Sequence, residues 1–115
     1  MFDYYGGKWK KKRNSILRKD KYKCQIAKWF GRSEEANTVH HIYPAKDYPE
    51  YAWCDWNLIS VSNKSHNKLE NRKTGELTPL GKWLMQKTVP GVEWRKMVRW
   101  SIVSLLQQRH PMQMH

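Results

Sequence analysis

The sequence predicts an α+β fold in which two short strands and a helix form the centre and further helices flank it on both sides. Three observations carry this. β-forming residues cluster in two runs, 36–44 and 56–62, separated by a loop of about ten residues. A helix-capping serine directly follows the second run, and the chain on either side places apolar residues at helical spacing. The 115 residues are expected to form one domain, 1–115.

Eleven of the 22 Lys and Arg residues lie in the first 32 positions, so segment 1–30 reads as a basic arm or helix. Trp9, Ile16 and Leu17, with Ile26, recur loosely at helical spacing, which predicts a helix over 8–19 with one side on the core and cations outward. "ANTVHHIYP" reads as a strand closed by Pro44, which cannot donate to a ladder. "AKDYPEYAWCD" reads as a loop, and "WNLISVS" resumes strand character. Ser62 or Asn63 then caps a helix, completing a core over 36–73. Farther on, Thr78 and Pro79 open a short helix over 79–87. Trp94, Met97, Val98, Ser101, Ile102 and Leu105 form one stripe of an amphipathic helix over 91–109, so the C-terminal helices span 78–109.

The formal net charge of +12 exceeds the magnitude of about 2 to 8 that solubility calls for, and so predicts a polyanionic partner such as nucleic acid. No apolar run approaches the ~20 residues of a membrane span, and no apolar leader core opens the chain. With both Cys24 and Cys54 expected to be reduced, a soluble cytoplasmic protein is predicted.

Three of the five histidines, His40, His41 and His66, fall in the strand, loop, strand, helix unit, with Asn57 between them. His110 and His115 sit in the terminal tail. Neighbours on a strand point to opposite faces, so His40 and His41 should have different surroundings and different jobs. His66 and Glu70 are four apart, a spacing that projects two ligands from one helix face. A strand histidine would complete a site for a catalytic Zn, Mn, Ni or Mg ion, and the ligand set does not choose among them. A salt bridge to Lys73 or Lys64 is the competing use of Glu70. Such a cation with a nearby uncoordinated imidazole is what phosphodiester hydrolysis requires, with one neighbour of the pair facing the metal and the other facing water.

"VHHIYP" followed by "NLISVSNKSHNKLENR" resembles the HNH endonuclease family, and "ILRKDKYKCQ", "PAKDYPEYAW" and "ELTPLGKWL" look like its small phage-type members. The likeness spans 9–84: a doubled His, an Asn 16 residues after the second, then a His nine residues on. It implies the ββα-metal (His-Me finger) fold, an antiparallel two-stranded hairpin plus a helix. It also implies His41 as the general base, His40 and His66 as ligands of one divalent metal, and Asn57 as a brace for the loop that orients the base. Glu70 stands where relatives often carry histidine, and as a harder ligand it would shift preference toward Mn or Mg.

Many phage-type relatives also hold a structural zinc through two CxxC pairs. Only Cys24 matches those positions here, the others being Ala27, Ser62 and Ser65, so no structural zinc is expected. Its stabilisation would come instead from packing by Ile26, Trp29 and the aromatics near 51–56. The resemblance implies a metal-dependent nuclease that nicks or cuts DNA, binding the backbone through the basic N-terminal segment as a monomer or weak dimer. Phage terminase or packaging proteins would be partners, and the host cytoplasm the setting if the chain is phage-encoded. The competing expectation is a non-catalytic nucleic-acid-binding module on a degenerate version of the same fold.

Overall fold

Trp9, Ile16 and Leu17 occupy one side of helix α1, Gly7–Lys19, and are what that helix buries. The computed structural model describes residues 2–95, so most of the predicted helix over 91–109, with His110 and His115, lies outside the described residues. Helix α1 stops where Lys21 and Tyr22 take left-handed backbone, with φ of 55° and 57°. There the Tyr22 N–H donates to the Leu17 carbonyl at 2.8 Å and reverses the chain. Ile26 therefore does not belong to the first helical stripe; it sits in a separate short helix, α2, Gln25–Trp29, capped by Cys24 Sγ accepting from Ala27 N.

Strands β1, Thr38–His41, and β2, Leu58–Val61, pair antiparallel with Thr38 opposite Val61 and His41 opposite Leu58. A two-stranded hairpin is marginal alone, and here both of its faces are covered. Val39 and Leu58 point to α1 and pack with Trp9, Ile16 and Leu17. Ile42, Ile59 and Val61 point the other way, into a core with Ile26, Leu69, Leu84 and Trp94. Strand β2 would expose an unpaired edge, but Asp20 at the end of α1 accepts from Ser60 N at 3.0 Å. Arg95 ties the same carboxylate to the hairpin, donating to Asp20 Oδ1 at 2.7 Å and to the Leu58 carbonyl at 2.6 Å.

Helix α3, Asn63–Leu69, begins at Ser62, whose hydroxyl accepts from Ser65 N at 3.1 Å. Helix α4, Pro79–Lys87, begins at Thr78, whose hydroxyl accepts from Gly81 N at 3.1 Å. The two helices meet at a glycine. A Cβ on Gly81 would lie 2.1 Å from the Leu69 carbonyl oxygen, so only hydrogen fits there. Among the described residues no helix is long and apolar enough to cross a membrane.

Cys24, Ala27, Ser62 and Ser65 do come together, but as a hydrogen-bonded patch. Ser62 and Ser65 donate their hydroxyls to Glu34 Oε1 at 2.7 and 3.3 Å, and burial of the Cys24 thiol is outweighed by hydrogen bonds with Ser65, Ala27 and Ser62, which lower its pKa. One thiol, one methyl group and two hydroxyls already given to a carboxylate do not suit zinc. Ile26 and Trp29 pack around this patch. The aromatics of 51–56 do not, correcting that expectation: Trp53 joins the α1 cluster, while Tyr51 and Trp56 stack edgewise around Tyr43. They are drawn off because the loop folds back over the end of β1 rather than across α2.

Candidate active site

Period-two alternation along β1 sends Val39 and His41 to the α1 face and His40 to the α3 face. On the α3 face, His40, His66 and Glu70 each offer one ligand atom, and these atoms lie within 4.8 Å of one another. Glu70 reaches this position differently from the sequence expectation. Helix α3 ends at Leu69, and Glu70 is extended (φ −147°, ψ 152°), bridging to Leu77. Its carboxylate still turns back to contact His66 Nε2, and Oε1 lies 3.5 Å from His40 Nδ1. Its described ion-pair partners are these two imidazoles, and neither Lys64 nor Lys73 is among them.

The electrostatics follow from burial. Glu70 is desolvated, which pushes its carboxyl up, but the two imidazoles beside it outweigh that and hold it well below the usual carboxylate range. His40 is 2% exposed, and burial lowers its pKa against the opposing pull of Glu70. Nε2 of His40 and Nδ1 of His66 are buried with no hydrogen-bond partner. The ring nitrogens that face the ionised carboxylate are Nδ1 of His40 and Nε2 of His66, and two imidazole nitrogens with a carboxylate oxygen are a donor set that suits a divalent cation. The residues present therefore fit one such ion.

His41 sits in a different environment. Its Nε2 lies 3.0 Å from the Ala52 carbonyl, which can only accept, so Nε2 carries the proton and Nδ1 keeps the lone pair. The sequence pattern predicts that this residue faces water. Instead it is 6% exposed, because Trp9 stacks on its ring at 5.1 Å, Phe2 meets it edge-on at 5.0 Å, and the Tyr4 hydroxyl lies 3.5 Å from Nδ1. Burial drives its pKa down to about 4, leaving the imidazole neutral at pH 7. Burial raises the Tyr4 pKa, and the nearby charge of Glu70 adds to the rise.

Asn57 is fully buried and spans the ends of the intervening loop. Its Oδ1 accepts from Tyr43 N at 2.7 Å, and its Nδ2 donates to the carbonyls of Tyr43 at 3.0 Å and Tyr51 at 3.1 Å. Tyr51 adjoins Ala52, so the amide holds the segment that presents the carbonyl to His41. Phe2, Tyr4, Trp9 and Ala52 were not identified from the sequence as site residues. The run of aromatics in "MFDYYGGKW" was the available signal for three of them, whereas a backbone carbonyl leaves none.

Lys8, Lys10, Lys11 and Arg18 on α1 are exposed and form no ion pair among the described residues, Lys8 lying over the Trp53 ring at 4.3 Å. Lys12 and Lys19 depart from the expected outward face, since both contact the Asp55 carboxylate and lower its pKa. A cleft of about 580 Å³ between loop 44–48, turn 75–77 and α4 contains none of the site residues.

No family model matches the chain, and no curated protein does. A solved structure does: the crystal structure of the deep-sea thermophilic bacteriophage GVE2 HNH endonuclease with manganese ion. It superposes with a TM-score of 0.54 at 30% identity, covering 56% of this chain and 70% of that one.

Proposed function

This chain belongs to the HNH endonuclease family, and from that premise we propose that it is a metal-dependent endonuclease hydrolysing DNA phosphodiester bonds. The observation that carries the reading is the convergence of His40, His66 and Glu70 within 4.8 Å on the strand pair that also holds His41. These three residues are assigned to one divalent cation. When bound, that ion supplies Lewis-acid stabilisation of charge on the phosphate and the departing 3′ oxygen.

The remaining roles fall to the chain's own groups. His41, kept neutral by burial, takes a proton from water at Nδ1. Its Nε2–H donates to the Ala52 carbonyl throughout, holding the ring orientation and steadying the imidazolium that forms. Asn57 acts as a positioning residue by holding the loop that carries that carbonyl. The exposed cations of α1 bind backbone phosphates and contribute affinity rather than sequence choice. Manganese, present in the structure of the similar endonuclease, is of the hard class that a carboxylate ligand favours.

Supercoiled plasmid incubated with the purified protein tests this, in EDTA and then with Mg, Mn, Ni or Zn added, beside the His41→Ala variant. Metal-dependent nicking or linearisation that disappears in the variant is expected. DNA binding without cleavage under any metal would replace this reading with a binding module.

A further inference from the structure

The nitrogen assigned to take the proton is the one that the N-terminal segment covers. We infer that residues 2–5 form a gate over the reaction centre, with the Tyr4 hydroxyl standing where the attacking water must stand; the inference rests on the assignment of His41 as the base.

With Nε2 engaged by Ala52 at 3.0 Å, Nδ1 is the nitrogen left to accept a proton, and the Tyr4 hydroxyl is 3.5 Å from it. A water that donates to Nδ1 must lie within about 3 Å of it. The Trp9 ring covers one face of the imidazole and Phe2 meets it edge-on, so the Tyr4 hydroxyl is the polar group at Nδ1. Tyr4 in this position and a reactive water therefore exclude one another.

Among the described residues the cover is held by side-chain contacts alone: Phe2 meets Trp9 at 5.1 Å and Trp53 at 5.0 Å, and Tyr4 meets Trp9 at 5.7 Å. No described backbone hydrogen bond joins residues 2–5 to the rest of the molecule; the Tyr5 N–H donates to Asp3 Oδ1 within the segment itself. Tyr4 is 48% exposed and Tyr5 90%. The segment meets α1 through Gly6 and Gly7, a pair with few torsional restraints. Just beyond this hinge stand the exposed Lys8, Lys10 and Lys11, so a polyanionic strand seated on α1 arrives at the edge of the gate. Substrate binding and opening are thereby linked.

Two readouts on the full chain test this. The first is carbethoxylation of His41 by diethyl pyrocarbonate in the metal-free protein, mapped by mass spectrometry. The second is manganese-dependent hydrolysis of bis(p-nitrophenyl) phosphate, a diester too small to grip α1. Tyr4→Ala should raise His41 labelling about tenfold, equivalent to roughly 1.4 kcal/mol of lost aromatic cover, and raise hydrolysis in the same direction. Phe2→Ala should act likewise, and Tyr4→Phe more weakly. Unchanged labelling in both alanine variants overturns the gate. So does a fall in hydrolysis in Tyr4→Phe at unchanged labelling, which makes Tyr4 a positioning residue. Raised labelling with no cleavage of any substrate by any form supports the cover and overturns the nuclease reading instead.

Discussion

The two faces of the hairpin carry the same residue type in adjacent positions and treat it in opposite ways. On the α3 face, His40 is buried with Nδ1 turned toward an ionised carboxylate. On the α1 face, His41 is packed among aromatic rings with one nitrogen fixed by a carbonyl. The strand determines only that the two diverge; the helix packed on each face determines what each imidazole can do. A polar pocket leaves donors for a cation, whereas an apolar one lowers basicity but preserves neutrality.

The largest effect that tests this contrast comes from removing one histidine at a time. His41→Ala should lower cleavage by about 10² to 10⁴ while leaving manganese affinity nearly unchanged. His66→Ala should weaken affinity and cleavage together, measured by calorimetry and plasmid nicking. Equal loss of metal binding in both variants would abolish the distinction between the faces.

Asn57 is the seam, and its loss should blur both faces. Asn57→Ala leaves the part-buried N–H and carbonyl of Tyr43 without these partners, while the Tyr51 carbonyl keeps its bond from Cys54 N, at a cost of about 2 to 4 kcal/mol in urea unfolding. Cleavage should fall even where the protein remains folded.

The α1 face should also carry an acid sensitivity in the metal-free protein. His41 falls from 6.5 in the unfolded chain to about 4 when folded, so between these values the unfolded state binds the extra proton. Stability is thus complete above about pH 6.5 and declines by about 3 kcal/mol as pH falls to 4. Burial lowers the pKa of His40 in the same direction. Unfolding in EDTA across this range should show a smaller decline in His41→Gln, and an unaltered slope would mean that the aromatic cover does not desolvate the ring.

The smallest effect belongs to the surface. Asp55→Asn frees Lys12 from a partly exposed pairing, while Lys19 keeps its ion pair with Glu93, at a cost of less than about 1 kcal/mol. DNA affinity should rise at low salt, with a steeper salt dependence of binding.

Part of this design is written in local sequence. The alternation of "VHHI" separates the two histidines whatever packs on them, and Ser62 and Thr78 cap their helices through side chains within a few residues of the backbone they serve. The candidate donors His40, His66 and Glu70 were legible for similar reasons, since strand period and four-residue spacing are short-range properties. The tertiary structure decided the rest. Helix α3 ends one residue before Glu70 because the chain turns there to bridge Leu77 and admit Gly81, yet its carboxylate still reaches His66. Tyr4 meets His41 across 37 positions, and Ala52 meets it across 11. Such contacts depend on how α1 and the loop pack onto the hairpin, and no local pattern encodes that packing. Residue types therefore specified which groups were available, and the packing of distant segments decided which nitrogen was left open and which was covered.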